Sequence, residues 1–196
     1  MHHRLLLLSL STLVFGCAAP PNSGHAPQAV PSRQEEMPLV REFCNALREN
    51  LPQKDPIFDL KGKVTTQARP PIVYDIVQFG KDRVYREYFV EGPKVPNVVN
   101  RVNCGSFPFY QVARVEYVSA SRTYSVTLKN GKTYQTATNI PFLYRSPDSA
   151  RTYTTLVAGV DPKKDSWFWF LSNDPRFKDP REVSLDPSSI AVLEVN

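Results

Sequence analysis

Histidine and cysteine are the residues whose positions say most about the chemistry of this chain. The three histidines, His2, His3 and His25, all precede residue 35, so the rest of the chain contains none. Ser-His and Cys-His catalysis in their usual forms are therefore excluded from that region. A zinc site there would have only carboxylates and two cysteines as ligands. The sequence thus gives no catalytic residue, no metal ligand and no cofactor site, and we expect a protein that is not an enzyme.

The first seventeen residues have the layout of a bacterial export signal. A polar, partly basic start at residues 2–4 precedes a largely apolar run at 5–15, which Gly16 and Cys17 follow. A transmembrane helix needs about 20 apolar residues, so this run is too short to cross a bilayer. The pattern predicts that residues 1–16 are a signal peptide.

The end of that signal resembles the lipobox of bacterial lipoproteins, in which the chain is cut before a cysteine whose new N-terminus is acylated. The resemblance rests on Gly16 and Cys17 and implies lipidation of Cys17, with enough acyl chains for stable membrane anchoring. Ala18 stands where Asp would signal retention, which implies sorting to the outer membrane, on its periplasmic side. A plain secretory signal is the alternative, and it would leave Cys17 as an unpaired thiol.

Cys44 and Cys104 are the two remaining cysteines. In an oxidising compartment such a pair is expected to form a disulfide. A redox-active pair is the alternative, which the absence of a Cys-x-x-Cys motif disfavours. A disulfide closing a loop of about 60 residues would stabilise the fold by roughly 4 kcal/mol. It would also hold the helix that contains Cys44 against the strands near Cys104.

Five bulky apolar residues in a row, at positions 167–171, form a candidate binding surface. On a strand, Trp167, Trp169 and Leu171 lie on one face, while Phe168 and Phe170 lie on the other. A strand with two bulky faces is typical of the centre of a core. If one face is open, the two indoles would bind a partner or stack on a glycan, since aromatic side chains concentrate binding energy.

The charges of the chain are mixed rather than clustered. Its 24 basic and 19 acidic residues give a net charge of +5, and no basic run of the kind found in nucleic-acid-binding arms occurs. We therefore expect no nucleic-acid partner. The arginines on the candidate strands are interpreted as solvated strand edges, with contact to lipid phosphates or peptidoglycan carboxylates as the alternative.

Three segments follow from composition. Residues 1–16 are the signal, and residues 17–34 carry the lipidated Cys17 and a Pro/Ala-rich segment that has almost nothing to bury. Such a segment is expected to be a disordered tether, spanning roughly 20 to 25 Å on average. Residues 35–196 are enough for a single folded domain.

The elements that position these residues are one helix followed by strands. Apolar residues recur at helical spacing over 38–50, with Cys44 in the apolar stripe, and Pro52 ends the pattern. Strand patterns dominate afterwards, and the runs 72–79 and 84–90 predict a hairpin. We expect a mainly β (α+β) fold, with one amphipathic N-terminal helix packed on a curved antiparallel sheet, in a small barrel or a sandwich.

The clearest turn signal is Asn130-Gly131, between two alternating runs. A three-residue loop with Gly131 in the left-handed conformation places Val126 opposite Tyr134 and keeps the faces consistent. This hairpin, together with residues 190–195, resembles parts of SH3-like and Sm-like barrels. That resemblance implies a small barrel.

These observations support three hypotheses about function. The first is an outer-membrane lipoprotein facing the periplasm, which acts without catalysis as an accessory or scaffold of an envelope machine through protein-protein binding. The second is a periplasmic inhibitor of a cell-wall hydrolase, because lipid-anchored lysozyme inhibitors are also small, disulfide-bearing β proteins. The third is a carboxylate-based enzyme acting on glycans, since the chain has 19 acidic residues. Expected partners are the membrane, an envelope protein and peptidoglycan or lipid phosphates.

Overall fold

One α-helix, thirteen strands and two short 3-10 helices, Phe109–Gln111 and Pro187–Ser189, form the regular structure of the described residues. The helix is α1 (Arg33–Arg48), and the strands are β1 (Gly62–Thr66), β2 (Val73–Lys81), β3 (Val84–Tyr85), β4 (Glu87–Glu91), β5 (Ser106–Pro108), β6 (Val112–Val118), β7 (Thr123–Leu128), β8 (Thr133–Gln135), β9 (Phe142–Arg145), β10 (Thr154–Thr155), β11 (Phe168–Asn173), β12 (Arg181–Leu185) and β13 (Ile190–Val195). The expected mainly β fold with one N-terminal helix is confirmed.

The computed structural model describes only part of the chain. The described ranges are 33–53, 59–81, 83–98, 102–139, 141–145, 154–156 and 166–196. All of them belong to one unit, Pro31–Asn196, whereas the unit Met1–Val30 lies outside them. The predicted signal, the lipidation at Cys17 and most of the tether therefore fall outside the described residues and stay predictions.

Two antiparallel sheets make up the fold. The larger has the strand order β12-β11-β2-β1-β13-β6-β7-β8, with β3 paired to β2, and the smaller has the order β10-β9-β4-β5. Rings from the two sheets meet between them. The Phe168 ring of the larger sheet lies 5.0 Å from Tyr88 and 5.7 Å from Phe142 of the smaller one, measured between centroids. The described strands thus form two packed sheets rather than a closed barrel, so the barrel alternative was wrong.

The helix begins earlier than the sequence pattern predicted, at Arg33 instead of Pro38, which lies inside it. Strong helix formers precede Pro38, and one missing N–H donor does not outweigh them. The amphipathic pattern is real, because Cys44 and Leu47 are buried while Arg41 is exposed.

A disulfide and side-chain contacts of Asn130, Lys132 and Arg48 hold α1 against the strands. Cys44 and Cys104 form a disulfide, with their Cα atoms 5.3 Å apart. In the β7–β8 turn, Asn130 Nδ2 donates to the carbonyl oxygens of Leu47, at 2.9 Å, and Glu49, at 2.6 Å. The Arg48 guanidinium donates to the Cys104 carbonyl and lies 5.2 Å from the centroid of the Phe107 ring. The two Asn130 bonds satisfy carbonyls at the C-terminal end of the helix, which have no partner within it.

The β7–β8 hairpin has the predicted register. Val126 pairs with Tyr134, and Gly131 has φ +84°, the left-handed conformation that the three-residue loop requires. The predicted hairpin of residues 72–79 with 84–90 is only partly correct. Gly80 pairs with Tyr85 in a short β2–β3 hairpin, but β4 leaves that sheet and joins the smaller one.

Candidate functional site

Strand β11 divides its bulky side chains between two surfaces. Phe168 and Phe170 are fully buried between the sheets, so alternation places Trp169 and Leu171 on the opposite, outer face of the larger sheet. Trp169 is half-buried and Leu171 is 7% exposed. Trp167 precedes the strand and is half-buried. The structure thus brings Trp169 and Leu171 together on one strand face and leaves Trp167 at its start.

A buried hydroxyl fixes this part of β11. The Tyr88 hydroxyl accepts a hydrogen bond from the Trp169 backbone N–H and donates one to the Trp169 carbonyl, both at 3.1 Å. These groups lie just before the point where β11 begins to pair with β2, at Phe170 and Phe79. The hydroxyl therefore takes the place of a strand neighbour. Burial raises the pKa of Tyr88 well above its ordinary value, so the hydroxyl stays neutral and keeps its proton for donation.

Strand β2 bends at Gly80, which leaves the Trp169 backbone without a neighbouring residue of β2. Its φ is +134°, and a Cβ atom at this position would lie 1.9 Å from the Val84 carbonyl oxygen. Only glycine fits this close approach of the β2 and β3 backbones. The bend carries the end of β2 into the β2–β3 hairpin, away from β11.

The outer face of the larger sheet carries exposed ion pairs on its central strands. They join Lys63 to Asp75, at 3.9 Å, and Arg114 to Glu194, at 2.6 Å. All four side chains are at least 41% exposed, so each pair contributes at most about 1 kcal/mol. On β11, Trp169 and Leu171 form an apolar patch on this face.

A cation covers the indole of that patch. The Lys81 ammonium lies 4.6 Å from the centroid of the Trp169 ring, within the range of a cation–π contact. Leu171 lies between Gln78 of β2 and Glu182 of β12. Gln78 in turn donates through Nε2 to the Arg83 carbonyl, at 3.0 Å.

A cleft of about 500 Å³, which we call the hairpin cleft, opens beside this row of side chains. It is lined by Arg83 of the β2–β3 turn and by residues 177–182, which connect β11 to β12 and begin β12. Phe177 is 42% exposed, and the Arg181 guanidinium lies 3.5 Å from the centroid of its ring. The volume is within the range of small-ligand sites, roughly 300–1,000 Å³.

The hairpin cleft carries both signs of charge. Its cations are Arg83, Lys178 and Arg181, and its acids are Asp179 and Glu182. Arg181 also acts on a carboxylate outside the lining, because its charge helps to lower the pKa of Asp174.

The neighbouring Arg176 forms an ion pair within the same turn. Arg176 binds Asp174, with 2.6 Å between Nη2 and Oδ2. Hydrogen bonds from the Arg176 side chain and backbone lower the pKa of Asp174 to about 2. Arg176 also lies 5.8 Å from the centroid of the Phe177 ring, so this pair borders the aromatic rim of the cleft.

Such an arrangement can bind an anionic group. Cations held beside aromatic rings can receive carboxylate or phosphate groups through charge-assisted hydrogen bonds. In the described part of the chain, no three His, Cys, Asp or Glu side chains are close enough together to hold a metal ion. None of the helices in that part has the length and apolar character that crossing a bilayer requires.

Comparisons with protein-family models, with curated proteins and with solved structures find no match for this chain.

Sequence reasoning found the aromatic strand but missed the hairpin cleft. Apart from Arg83, the cleft residues come from the segment Asp174-Pro175-Arg176-Phe177-Lys178-Asp179-Pro180-Arg181-Glu182, whose prolines and charges suggested only a separator between strands. Phe177 alone among alternating charges was the available signal, because a lone aromatic in a polar turn has no core to enter.

Proposed function

We propose that this chain is a lipid-anchored protein of the bacterial outer membrane that faces the periplasm and binds a protein partner without catalysis, as an accessory or scaffold of an envelope machine. The observation that carries the binding role is the hairpin cleft. It combines the cations Arg83, Lys178 and Arg181 with the exposed ring of Phe177.

This composition is that of a protein-binding surface. Arginine and aromatic side chains supply most of the binding energy at protein interfaces, whereas lysine and glutamate lie mainly at the rim. Charges of both signs contribute specificity and association rate more than affinity. Trp169, with Lys81 over its ring, extends the same surface along the outer face.

The anchor is tested by replacing Cys17 with Ser in the full chain expressed in a diderm bacterium. We expect the natural protein to incorporate a radiolabelled fatty acid and to leave membranes only with detergent. The Cys17→Ser protein should incorporate none and wash off with salt. Equal labelling of both proteins, or release of the natural protein without detergent, would overturn the anchored location.

The binding surface is tested by photo-crosslinking in intact cells. A benzophenone amino acid replaces Phe177 in one strain and Thr133, an exposed residue on β8 at the other edge of the larger sheet, in a matched control. We expect a discrete protein adduct from position 177 and none from position 133. Identical patterns from both positions would contradict a partner at the hairpin cleft. Inhibition of a muralytic enzyme by the purified protein would favour the inhibitor alternative instead.

A further inference from the structure

A cation lies against each of the two aromatic rings at the candidate site. The Arg181 guanidinium lies 3.5 Å from the centroid of Phe177, and the Lys81 ammonium lies 4.6 Å from the centroid of Trp169. Each ring therefore helps to hold its cation in position.

Arginine held in this way is suited to a carboxylate. A planar guanidinium binds a carboxylate through two parallel N–H···O bonds, and a fixed side chain loses less conformational freedom on binding. Arg83 faces the same cleft from the other hairpin. Its backbone is left-handed, with φ 58°, in the turn that Gln78 ties down through the Arg83 carbonyl. The two arginines thus approach one ligand volume from two separate elements.

Strand β12 contributes Arg181 and Glu182 to the cleft. In an extended chain alternate side chains point to the same side. An extended segment could therefore present more than one carboxylate to the two arginines.

We propose that the hairpin cleft binds an extended, carboxylate-bearing segment of the partner protein, with Arg83 and Arg181 as the residues that receive the carboxylates. This inference rests on the proposed function above and names the ligand of the same site. Asp179 and Glu182 repel a carboxylate that is out of register, so they restrict where along the cleft the acidic side chains lie.

The test uses two synthetic probes, acetyl-tetraglutamate amide and the neutral acetyl-tetraglutamine amide, titrated into the purified mature protein and followed by NMR. We expect tetraglutamate to shift the signals of Phe177 and Arg181, and tetraglutamine to leave them in place. The affinity for tetraglutamate should fall with added salt, because the cleft is exposed. Equal binding of the two probes, or binding of neither, would overturn the inference.

Arg122 provides a matched control for Arg83. Both are exposed turn residues in the left-handed conformation, with φ 54° and 58°, and Arg122 does not line the cleft. Arg83→Gln and Arg181→Gln should each weaken tetraglutamate binding about tenfold, the effect of one charge-assisted hydrogen bond. Arg122→Gln should leave it unchanged, and Glu182→Gln should strengthen it. A similar loss in the Arg83 and Arg122 variants would show a non-specific charge effect and overturn the assignment.

Soluble muropeptides form the third arm of the test. Binding of muropeptides, with no binding of tetraglutamate, would overturn the inference in favour of a cell-wall contact. A failed titration combined with a discrete protein adduct from position 177 would refute only the ligand class. Failure of both experiments would refute the proposed function as well.

Discussion

Removal of the disulfide gives the sharpest test of how the helix is held. Cys44 and Cys104 are 60 residues apart in sequence, and closing a loop of that length restricts the unfolded chain by about 4 kcal/mol. Replacing both cysteines with Ala should lower the free energy of unfolding by about that amount. For a domain of this size, 1 kcal/mol shifts Tm by about 2–4 °C, so the expected fall is about 8–16 °C.

The native fold should survive this change, because Asn130 and Arg48 still hold the end of α1 through hydrogen bonds. Thermal and urea denaturation, followed by circular dichroism with and without a reductant, provide the measurement. Reductant should lower Tm for the natural protein and leave that of the Cys44→Ala, Cys104→Ala variant unchanged. A fall smaller than about 3 °C in the variant would refute the loop-closure reasoning. So would an equal response of both proteins to reductant.

Three further predictions follow from individual contacts. Tyr88→Phe removes the hydroxyl that pairs with the β11 backbone and should destabilise the fold by about 1–3 kcal/mol in urea denaturation. Tyr117→Phe, at a half-buried tyrosine, is the matched control and should have little effect; equal losses would contradict the role of the hydroxyl. Arg176→Gln should raise the pKa of Asp174 from about 2 toward its ordinary value in an NMR titration. A carboxyl whose pKa is lowered in the folded protein stabilises the fold above its ordinary pKa, and this stabilisation is lost as the pH falls through the folded-state pKa. The variant should therefore lose a small dependence of stability on pH in that acidic range. An unchanged Asp174 titration would refute the pairing. Asn130→Ala should leave helix carbonyls unsatisfied and lower stability by about 1–3 kcal/mol, and an unaltered urea midpoint would contradict the clamp.

Sequence patterns predicted the β7–β8 hairpin and the helix, whose structures depend mainly on neighbouring residues. Asn130-Gly131 defined its hairpin down to the pairing of Val126 with Tyr134, because the register depends on loop length and on one left-handed glycine. The apolar stripe with Cys44 likewise identified the helix, although the predicted bounds, 38–50, differ from the observed Arg33–Arg48 at both ends. Cys44 and Cys104, the two cysteines that remain after the predicted signal, were expected to pair, and they are found at disulfide distance.

The alternation of apolar and polar residues did not predict which strands pair with one another. Strand β2 skips Val77 where it pairs with β11, so Ile76 and Phe79 are both buried although simple alternation places them on opposite faces. The run 84–90 reads as one strand, but it divides at Arg86 between two sheets, which no periodicity within the run indicates.

The candidate site shows the same limit. The aromatic strand was visible because five bulky residues in a row are rare, and its two faces were assigned correctly for Phe168 and Phe170. The hairpin cleft was not visible, because Arg83 is distant in sequence from residues 177–182. Their proximity follows from the pairing of β2 with β11 and of β11 with β12.

The cystine also determines the route by which mechanical tension passes through the molecule. A load applied before Cys44 and resisted after Cys104 travels through the sulfur–sulfur bond, because residues 45–103 form a closed covalent loop. Strands β1 to β4 and Arg83 lie inside that loop and bear no direct pull along the backbone. A force applied at the N-terminal end is therefore not transmitted along the backbone at Arg83, on this side of the hairpin cleft.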